Sequence, residues 1–410
     1  MEIIIQRGTH QIGGCITEIR TDETRILIDI GEPLPGNNTE TDITIPGITI
    51  SPELNSEYSK PCDAVFVTHY HGDHIGMIDK LLPNIPLFLG NAAREIYSIY
   101  CNRTKQTVKK DRLTHANTFT SGHPIQIKDI SITPLLTSHS ALDAYMFLIE
   151  GKDKTILHTG DFSLHGFEGK NWLSTLAEIL RQKGITKIDY LISEGTMLPN
   201  QERSNPTEQD AIREMKEVIK NHKKIFVVCS STHIDRIAEF YHNRNYRSPL
   251  ISDLYQNTIL QYITNTYGAN NEFYYLPYAY TYSERNSKLL KLMEQYGFVA
   301  LIRANAWSKK LIQKYYDESD SAIIYSMWGG YLKPGPARNE NLCNFLKPYK
   351  ITAFIHAGGH ALPEEIKEFV DTVNPANIIP IHTEHPEEMK NLLPERKILL
   401  LEDKEKLYIP

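Results

Sequence analysis

Val65-Phe66-Val67-Thr68-His69-Tyr70-His71-Gly72-Asp73-His74 is the stretch around which the rest of this 410-residue chain is organised. The apolar run up to Thr68 reads as a buried strand. It then empties into three histidines and one aspartate within six positions. Neutral imidazole nitrogens and carboxylate oxygens are the donors that zinc-like divalent ions take. His69 and His71 alternate, so an extended chain points both to one side. Asp73 and His74 follow Gly72, where the backbone can turn and aim them at a second position. The cluster predicts two ions held side by side, roughly 3.5–4 Å apart. A lone histidine at a strand end is ordinarily a satisfied surface or core residue, but four such donors in six residues are not explained that way.

Composition sets the outer limits. With 41% hydrophobic and 23% charged residues the chain is an ordinary globular one, long enough for two cores. A formal net charge of −6 provides no global attraction for nucleic acid, although a local basic groove needs none. Cys15, Cys62, Cys101, Cys229 and Cys343 are scattered without a Cys-x-x-Cys pair, which argues for a reducing compartment and against a cysteine zinc site. The sequence shows no signal-peptide pattern and no apolar run near the ~20 residues that span a bilayer. A cytoplasmic location and no membrane partner are expected.

Taken in order, residues 2–5 and 25–30 read as strands, with Gly13-Gly14 turning between early strands. Asp29 ends the apolar run Ile26–Ile30, where an acid either caps a turn or holds a ligand histidine in place. Residues 32–60 are rich in Pro, Asn, Thr and Ser and read as a loop; Gly76 to Leu82 reads as a helix, and 91–113 as helix and loop. Three further apolar strands deliver His139, Asp161 and Glu194 at their tips. His158 reads as a packed strand residue. From about 200 to 340 strands and helices alternate with continuous apolar strands, the pattern of a parallel sheet covered on both faces. From Ile351 the strand-plus-donor style returns with His356, Gly358, Gly359 and His360, and then His382. The domains expected are therefore 1–199, an inserted 200–340, and a completion over 341–410.

His-x-His-x-Asp-His resembles the signature of the metallo-β-lactamase superfamily of binuclear metal hydrolases. Asp29 matches its first motif, His139 its third and Asp161 its fourth. The insertion bracketed by Glu194, His360 and His382 resembles the β-CASP subgroup, which contains ribonuclease J. These three residues match its motifs A, B and C, and Phe226–Ser231 to Arg236 looks like the opening of its inserted domain. The resemblance implies an α/β fold, an αββα metallo-β-lactamase sandwich with an inserted β-CASP-like parallel α/β domain.

It also implies a site. His69, His71 and His139 would hold one ion, and Asp73, His74 and His382 the other, with Asp161 bridging and Asp29 behind them. The ions would be zinc, with manganese as the alternative. Asp73 would orient a water activated between the ions, and His360, oriented by Glu194, would act as general acid. The basic run Arg103, Lys105, Lys109, Lys110 and Arg112 is either a solvated face or a holder of substrate phosphates. Gly358, Gly359, His356 and Ser231 are the expected substrate contacts, and Trp328 and Tyr331 are candidate stacking surfaces. Histidine at motif C mostly accompanies RNA substrates, so the expected partner is single-stranded RNA; self-association into a homo-oligomer is left open. A DNA nuclease of the same fold and a lactone or thioester hydrolase are the alternatives. Two departures stand out: Gly358-Gly359-His360 replaces Ser-Gly-His, and Ser326-Met327-Trp328-Gly329-Gly330 replaces a Gly-Ser-Gln-Gly stretch. With the chain ending at Pro410, they leave the endo- or exonucleolytic mode and any 5′-monophosphate dependence open.

Overall fold

The computed structural model describes residues 1–35, 43–50, 61–167, 169–198 and 207–410. Parts of the expected 32–60 loop, and the boundary expected at 199/200, lie outside the described residues. Two compact units form: Met1–Ser204 with Gly359–Pro410, and Asn205–Gly358.

The first unit is built on alternation. Among the described residues one sheet runs in the order Lys406–Tyr408, Glu2–Arg7, Ile16–Arg20, Arg25–Ile28, Ala64–Phe66, Leu87–Gly90, Asn117–Phe119. The other runs Pro375–Ile381, Ile188–Glu194, Lys154–His158, Ala144–Gly151, Ile130–Thr137, Ile125–Ile127. In the second of these, Phe147, Ile149, Ile156, Ile192 and Ile379 join Ile3, Ile5, Ile26, Ile28 and Phe66 of the first in one core. Their neighbours Met146, Leu148, Leu157, Leu191 and Ile378 face the other way, because side chains of a strand alternate between faces. That outer layer is closed by helices Gly169–Gln182 and Pro363–Val373. Trp172, Leu173, Leu176 and Leu180 on one, and Ile366, Phe369, Val370 and Val373 on the other, repeat at helical spacing. On the opposite side helix Asn91–Thr104 buries Ala92, Ala93, Ile96, Tyr97 and Cys101. The result is the expected αββα sandwich.

Strand direction then places the site. Lys154–His158, Ile188–Glu194 and Pro375–Ile381 pair in parallel, so their C-terminal tips share one edge. Ile130–Thr137 lies antiparallel to Ala144–Gly151, which lies antiparallel to Lys154–His158; it therefore ends at the same edge. Arg25–Ile28 and Ala64–Phe66 are parallel in the other sheet.

The helix expected over Gly76–Leu82 is not formed. The helix is Gly72–Ile75, inside the donor cluster, followed by a single 3₁₀ turn at Ile78–Lys80. Helix propagation needs the carbonyls of Asp73 and His74, but these accept from Cys15 N–H (3.1 Å) and Ile30 N–H (2.8 Å). Tertiary hydrogen bonds win because they knit the donor loop onto neighbouring turns.

The second unit carries a sheet in the order Ala279–Thr281, Leu250–Ser252, Phe298–Ile302, Lys224–Cys229, Ser321–Ser326, Ala353–Phe354, with every pairing parallel. Ile225, Val227 and Cys229 face one helical layer, Phe226 and Val228 the other. Helix Glu208–Asn221 opens with a Thr207–Asp210 capping box, as its sequence predicts. The expected return to the first unit at 341 is corrected to Gly359. Helix Glu340–Leu346 buries Leu342 and Leu346 in the second unit's core, and Ala353–Phe354 adds a strand to Ser321–Ser326. No described helix is long and apolar enough to cross a membrane.

Arg236 is fully buried in the second unit, where its guanidinium donates to both Glu208 oxygens (2.7 Å each), Ser326 Oγ (2.7 Å) and Ile355 O (3.0 Å). Removing one partner of such a pair strands a charge. Glu208→Ala is expected to lower the stability of this unit by about 3–5 kcal/mol, and Glu208→Leu/Arg236→Met by less. Urea unfolding of both variants checks the order.

Candidate active site

Each predicted donor arrives on a strand tip or the turn after it. His69 and His71 follow Ala64–Phe66, and Asp73 and His74 lie in the short helix. His139, Asp161 and His382 follow Ile130–Thr137, Lys154–His158 and Pro375–Ile381. The structure brings all seven together. Donor atoms of His69, His71 and His139 lie within 4.8 Å of one another, as do those of His69, His74 and Asp161 and those of Asp161, Glu194, His360 and His382. Asp161 is the hub: its Oδ2 is 3.1 Å from His74 Nε2, 3.7 Å from His382 Nε2, and 3.8 Å from both His69 Nε2 and His139 Nε2. His382 Nε2 is also 3.4 Å from Asp73 Oδ2, and His71 Nδ1 faces His139 Nε2 at 3.1 Å.

The outward ring nitrogens are anchored. Asp29 accepts from His74 Nδ1 (2.8 Å), from Thr68 N–H (2.7 Å) and from the Thr68 hydroxyl (2.8 Å). The Thr68 proton being used there, its oxygen accepts from His69 Nδ1 at 3.0 Å. His139 Nδ1 donates to Gly359 O at 2.6 Å. With the Nδ1 atoms protonated, it is the Nε2 atoms of His69, His74 and His139 that face inward, the arrangement that partners behind a metal site enforce.

Those inward atoms fit a metal. His69 Nε2 and Asp161 Oδ1 are buried without a hydrogen-bond partner, and buried His74 Nε2 faces only the Asp161 carboxylate at 3.1 Å. Orphaned buried polar atoms are costly unless something neutralises them. Here all three belong to the predicted ligand set and are the N and O donors that divalent ions take.

Electrostatics agree. Burial, followed by the neighbouring imidazoles, holds His69 and His139 well below the usual histidine range, and burial lowers His71 to about 4, so these three are neutral at pH 7. At His74 burial is outweighed by Asp161 and Asp29, which favour positive charge there. Burial also opposes the charge on Asp161, yet His382, His74 and His360 hold it well below the carboxylate range. The centre calls for cations.

Beside it, Glu194 is buried; one oxygen accepts from Phe162 N–H (2.8 Å) and the other pairs with His360 Nδ1 (2.9 Å). Burial would lower the pKa of His360, but Glu194 and Asp161 raise it to about 9. His158 is a packed strand residue, its ring held between Thr17 Oγ1 and Gly160 N–H (3.1 Å each).

The expected substrate contacts divide. Gly359 lies against Ser140, whose Oγ would be 2.6 Å from any Cβ added there, and its carbonyl serves His139. Neither Gly358 nor Gly359 caps the following helix, whose N-cap is Leu362. Ser231, His356 and Gly358 fall in the second unit, where the Ser231 carbonyl accepts from Gln256 Nε2 (2.8 Å). Much of the basic run is engaged by the protein itself. Lys109 pairs with Glu32 (2.7 Å), and Arg112 donates to Pro83 O (2.7 Å) and Ile85 O (3.0 Å).

Several contributors escape a reading of the sequence. Thr68 and Thr196 are threonines beside donors, recognisable only by that adjacency. Cys15 Sγ lies within 4.8 Å of ring nitrogens of His74 and His382. Gly31 leaves room for Asp73, whose carbonyl oxygen would sit 1.7 Å from an added Cβ. Asp29→Asn keeps a residue that tolerates its φ of +62° but removes the carboxylate behind His74. Zinc affinity is expected to fall roughly 10–100-fold, as read by competition with a chelator; unchanged affinity would remove Asp29 from the metal-supporting set.

Comparison with known proteins bears on the same residues. Residues 24–227 match the β-lactamase superfamily domain, and residues 348–396 match the Zn-dependent metallo-hydrolase RNA specificity domain. Ribonuclease J of Mycoplasma genitalium is 23% identical over 92% of this chain and 67% of its own length. Ribonuclease J of Sinorhizobium meliloti is 22% identical over 88% and 64%. The chain thus spans about two thirds of the length of these relatives. A crystal structure of a protein of unknown function from Enterococcus faecalis shares the fold, with a TM-score of 0.78 at 20% identity over 99% of both chains. Family, fold and donor chemistry converge: the chain is a metal-dependent hydrolase of the metallo-β-lactamase superfamily, of the β-CASP type to which ribonuclease J belongs.

Proposed function

We propose that this protein hydrolyses phosphodiester bonds of single-stranded RNA with two divalent ions, zinc by the histidine-rich donor set. The observation that carries the reading is the Glu194–His360 pair, 2.9 Å apart, set against a centre whose Asp161 Oδ2 is 3.8 Å from His360 Nδ1. Expulsion of an alkoxide needs such an acid; expulsion of the thiolate of a thioester does not. The RNA side of the proposal is supported by the RNA specificity domain match over 348–396 and by the ribonuclease J relatives.

His69, His71 and His139 would hold one ion, Asp73, His74 and His382 the other, and Asp161 would be shared between them. Bound there, the ions supply charge neutralisation for the phosphate and a water acidic enough to be deprotonated near pH 7. The protein's own groups do the rest. Asp73, half-buried at the mouth, accepts a hydrogen bond from the attacking water and aims it. Glu194 occupies His360 Nδ1, which leaves Nε2–H free to protonate the departing 3′ oxygen. Without that proton a ribose alkoxide must leave unaided.

End-labelled RNA and DNA of one sequence, digested by the wild type and by Asp73→Ala/His74→Ala, test the assignment. The wild type is expected to cut RNA, to leave DNA largely intact, and to lose activity in the double variant. DNA cleavage in preference to RNA, or lactone hydrolysis with no phosphodiester cleavage, overturns it. His360→Ala is expected to retain its metal and to cleave RNA roughly 10²–10⁴-fold more slowly, as single-turnover rates with metal analysis will show.

A further inference from the structure

Thr196 stands two residues beyond Glu194, past the tip of strand Ile188–Glu194, and is none of the ligands or acids assigned above. Its hydroxyl oxygen lies 2.7 Å from Glu194 Oε2 and 2.7 Å from His382 Nδ1, with the His382 carbonyl oxygen a longer third contact at 3.2 Å. A hydroxyl has a single proton to donate, and a carboxylate oxygen only accepts. The same Glu194 oxygen receives His360 Nδ1–H at 2.9 Å. Thr196 must therefore donate to Glu194 and accept from His382 Nδ1–H. The reverse order would press an oxygen lone pair against a buried carboxylate at hydrogen-bond distance and leave that contact unmade.

The donors thus form one directed chain, from His382 Nδ1–H through the Thr196 hydroxyl to Glu194, where His360 Nδ1–H arrives from the other side. Two things follow. With Nδ1–H committed to Thr196, it is Nε2 of His382 that faces Asp73 Oδ2 (3.4 Å) and Asp161 Oδ2 (3.7 Å), the nitrogen that would give up its proton to a metal. Glu194 is held by Thr196 where it can orient His360. We propose that Thr196 is a positioning residue that couples the general acid to the ligand His382, so that the metal-facing nitrogen and the placed acid are set by one hydroxyl. The proposal rests on the phosphodiesterase reading above, because it assigns His360 a proton to deliver.

Thr196→Val removes the hydroxyl at nearly constant volume, and Thr196→Ser keeps it. Zinc affinity is read by chelator competition without turnover. Rates at saturating zinc are read on RNA and on bis-p-nitrophenyl phosphate, whose leaving group needs no proton. For Thr196→Val the binding of one ion is expected to weaken roughly 10–100-fold, and kcat on RNA to fall by a similar factor even at saturating zinc. KM and nitrophenyl turnover stay near wild type, and Thr196→Ser restores both losses. Unchanged zinc affinity overturns the tie to His382. Equal slowing of both substrates overturns the tie to His360, as does failure of the serine variant to rescue. A wild type inert toward both substrates overturns the phosphodiesterase reading and the acid coupling with it, and the zinc titration separates that failure from one at Thr196.

Discussion

Buried negative charge is the constraint that shapes the first unit. Asp29, Asp161 and Glu194 are buried and Asp73 half-buried, all around one small volume. Two like charges 4 Å apart still repel by about 4 kcal/mol at an effective dielectric near 20, against a total stability of about 5–15 kcal/mol for a typical domain. Imidazole dipoles and N–H donors soften that repulsion, and divalent cations would remove it. Metal binding would therefore be coupled to folding: bound ions would take over the charge compensation that His382 and His74 supply to Asp161 and Asp73.

The architecture meets this demand by delivering every charged group from a rigid strand to a turn. Strands of both sheets end at the shared edge; His69, His139, Asp161 and His382 sit one to three residues past the ordered ladder, and His71, Asp73 and His74 occupy the turn and short helix that follow His69. Local strain is accepted there. Asp29 and His382 have φ of +62° and +53°, a region that side-chain-bearing residues enter at a cost of about 1–3 kcal/mol. His382 is held in it by its N–H bond to Gly8 O (2.8 Å), and Asp29 by its N–H bond to Phe66 O (2.8 Å). Each strained residue is pinned by backbone from a neighbouring segment, so the geometry survives because the sheet over-determines it.

Much of this is legible in the chain itself. Alternation in runs such as Met146–Ile149 assigns the two faces of a strand. Donor spacing in His69–His74 identifies the chemistry. The misses share a cause. Gly76–Leu82 has the composition of a helix, but Asp73 and His74 carbonyls are claimed by Cys15 and Ile30. Lys109 and Arg112 look like free charge, but Glu32 and two carbonyls from the turn around Pro83 claim them. Residues 351–358 resemble the first unit in style and pack with the second. In each case a partner distant in sequence decided the outcome.

By itself the sequence determined which atoms were available: seven metal-type donors, an acid and a histidine to act as a pair, and apolar patterns that build two cores. These are properties of residue type and local period, which no fold can alter. Only the tertiary structure decided which nitrogen of each ring faces inward, that Thr68 and Thr196 stand behind the donors, and that Asp161 lies at their centre. Such choices depend on hydrogen bonds between residues as far apart as Thr196 and His382, and on lone-pair directions that linear spacing does not encode.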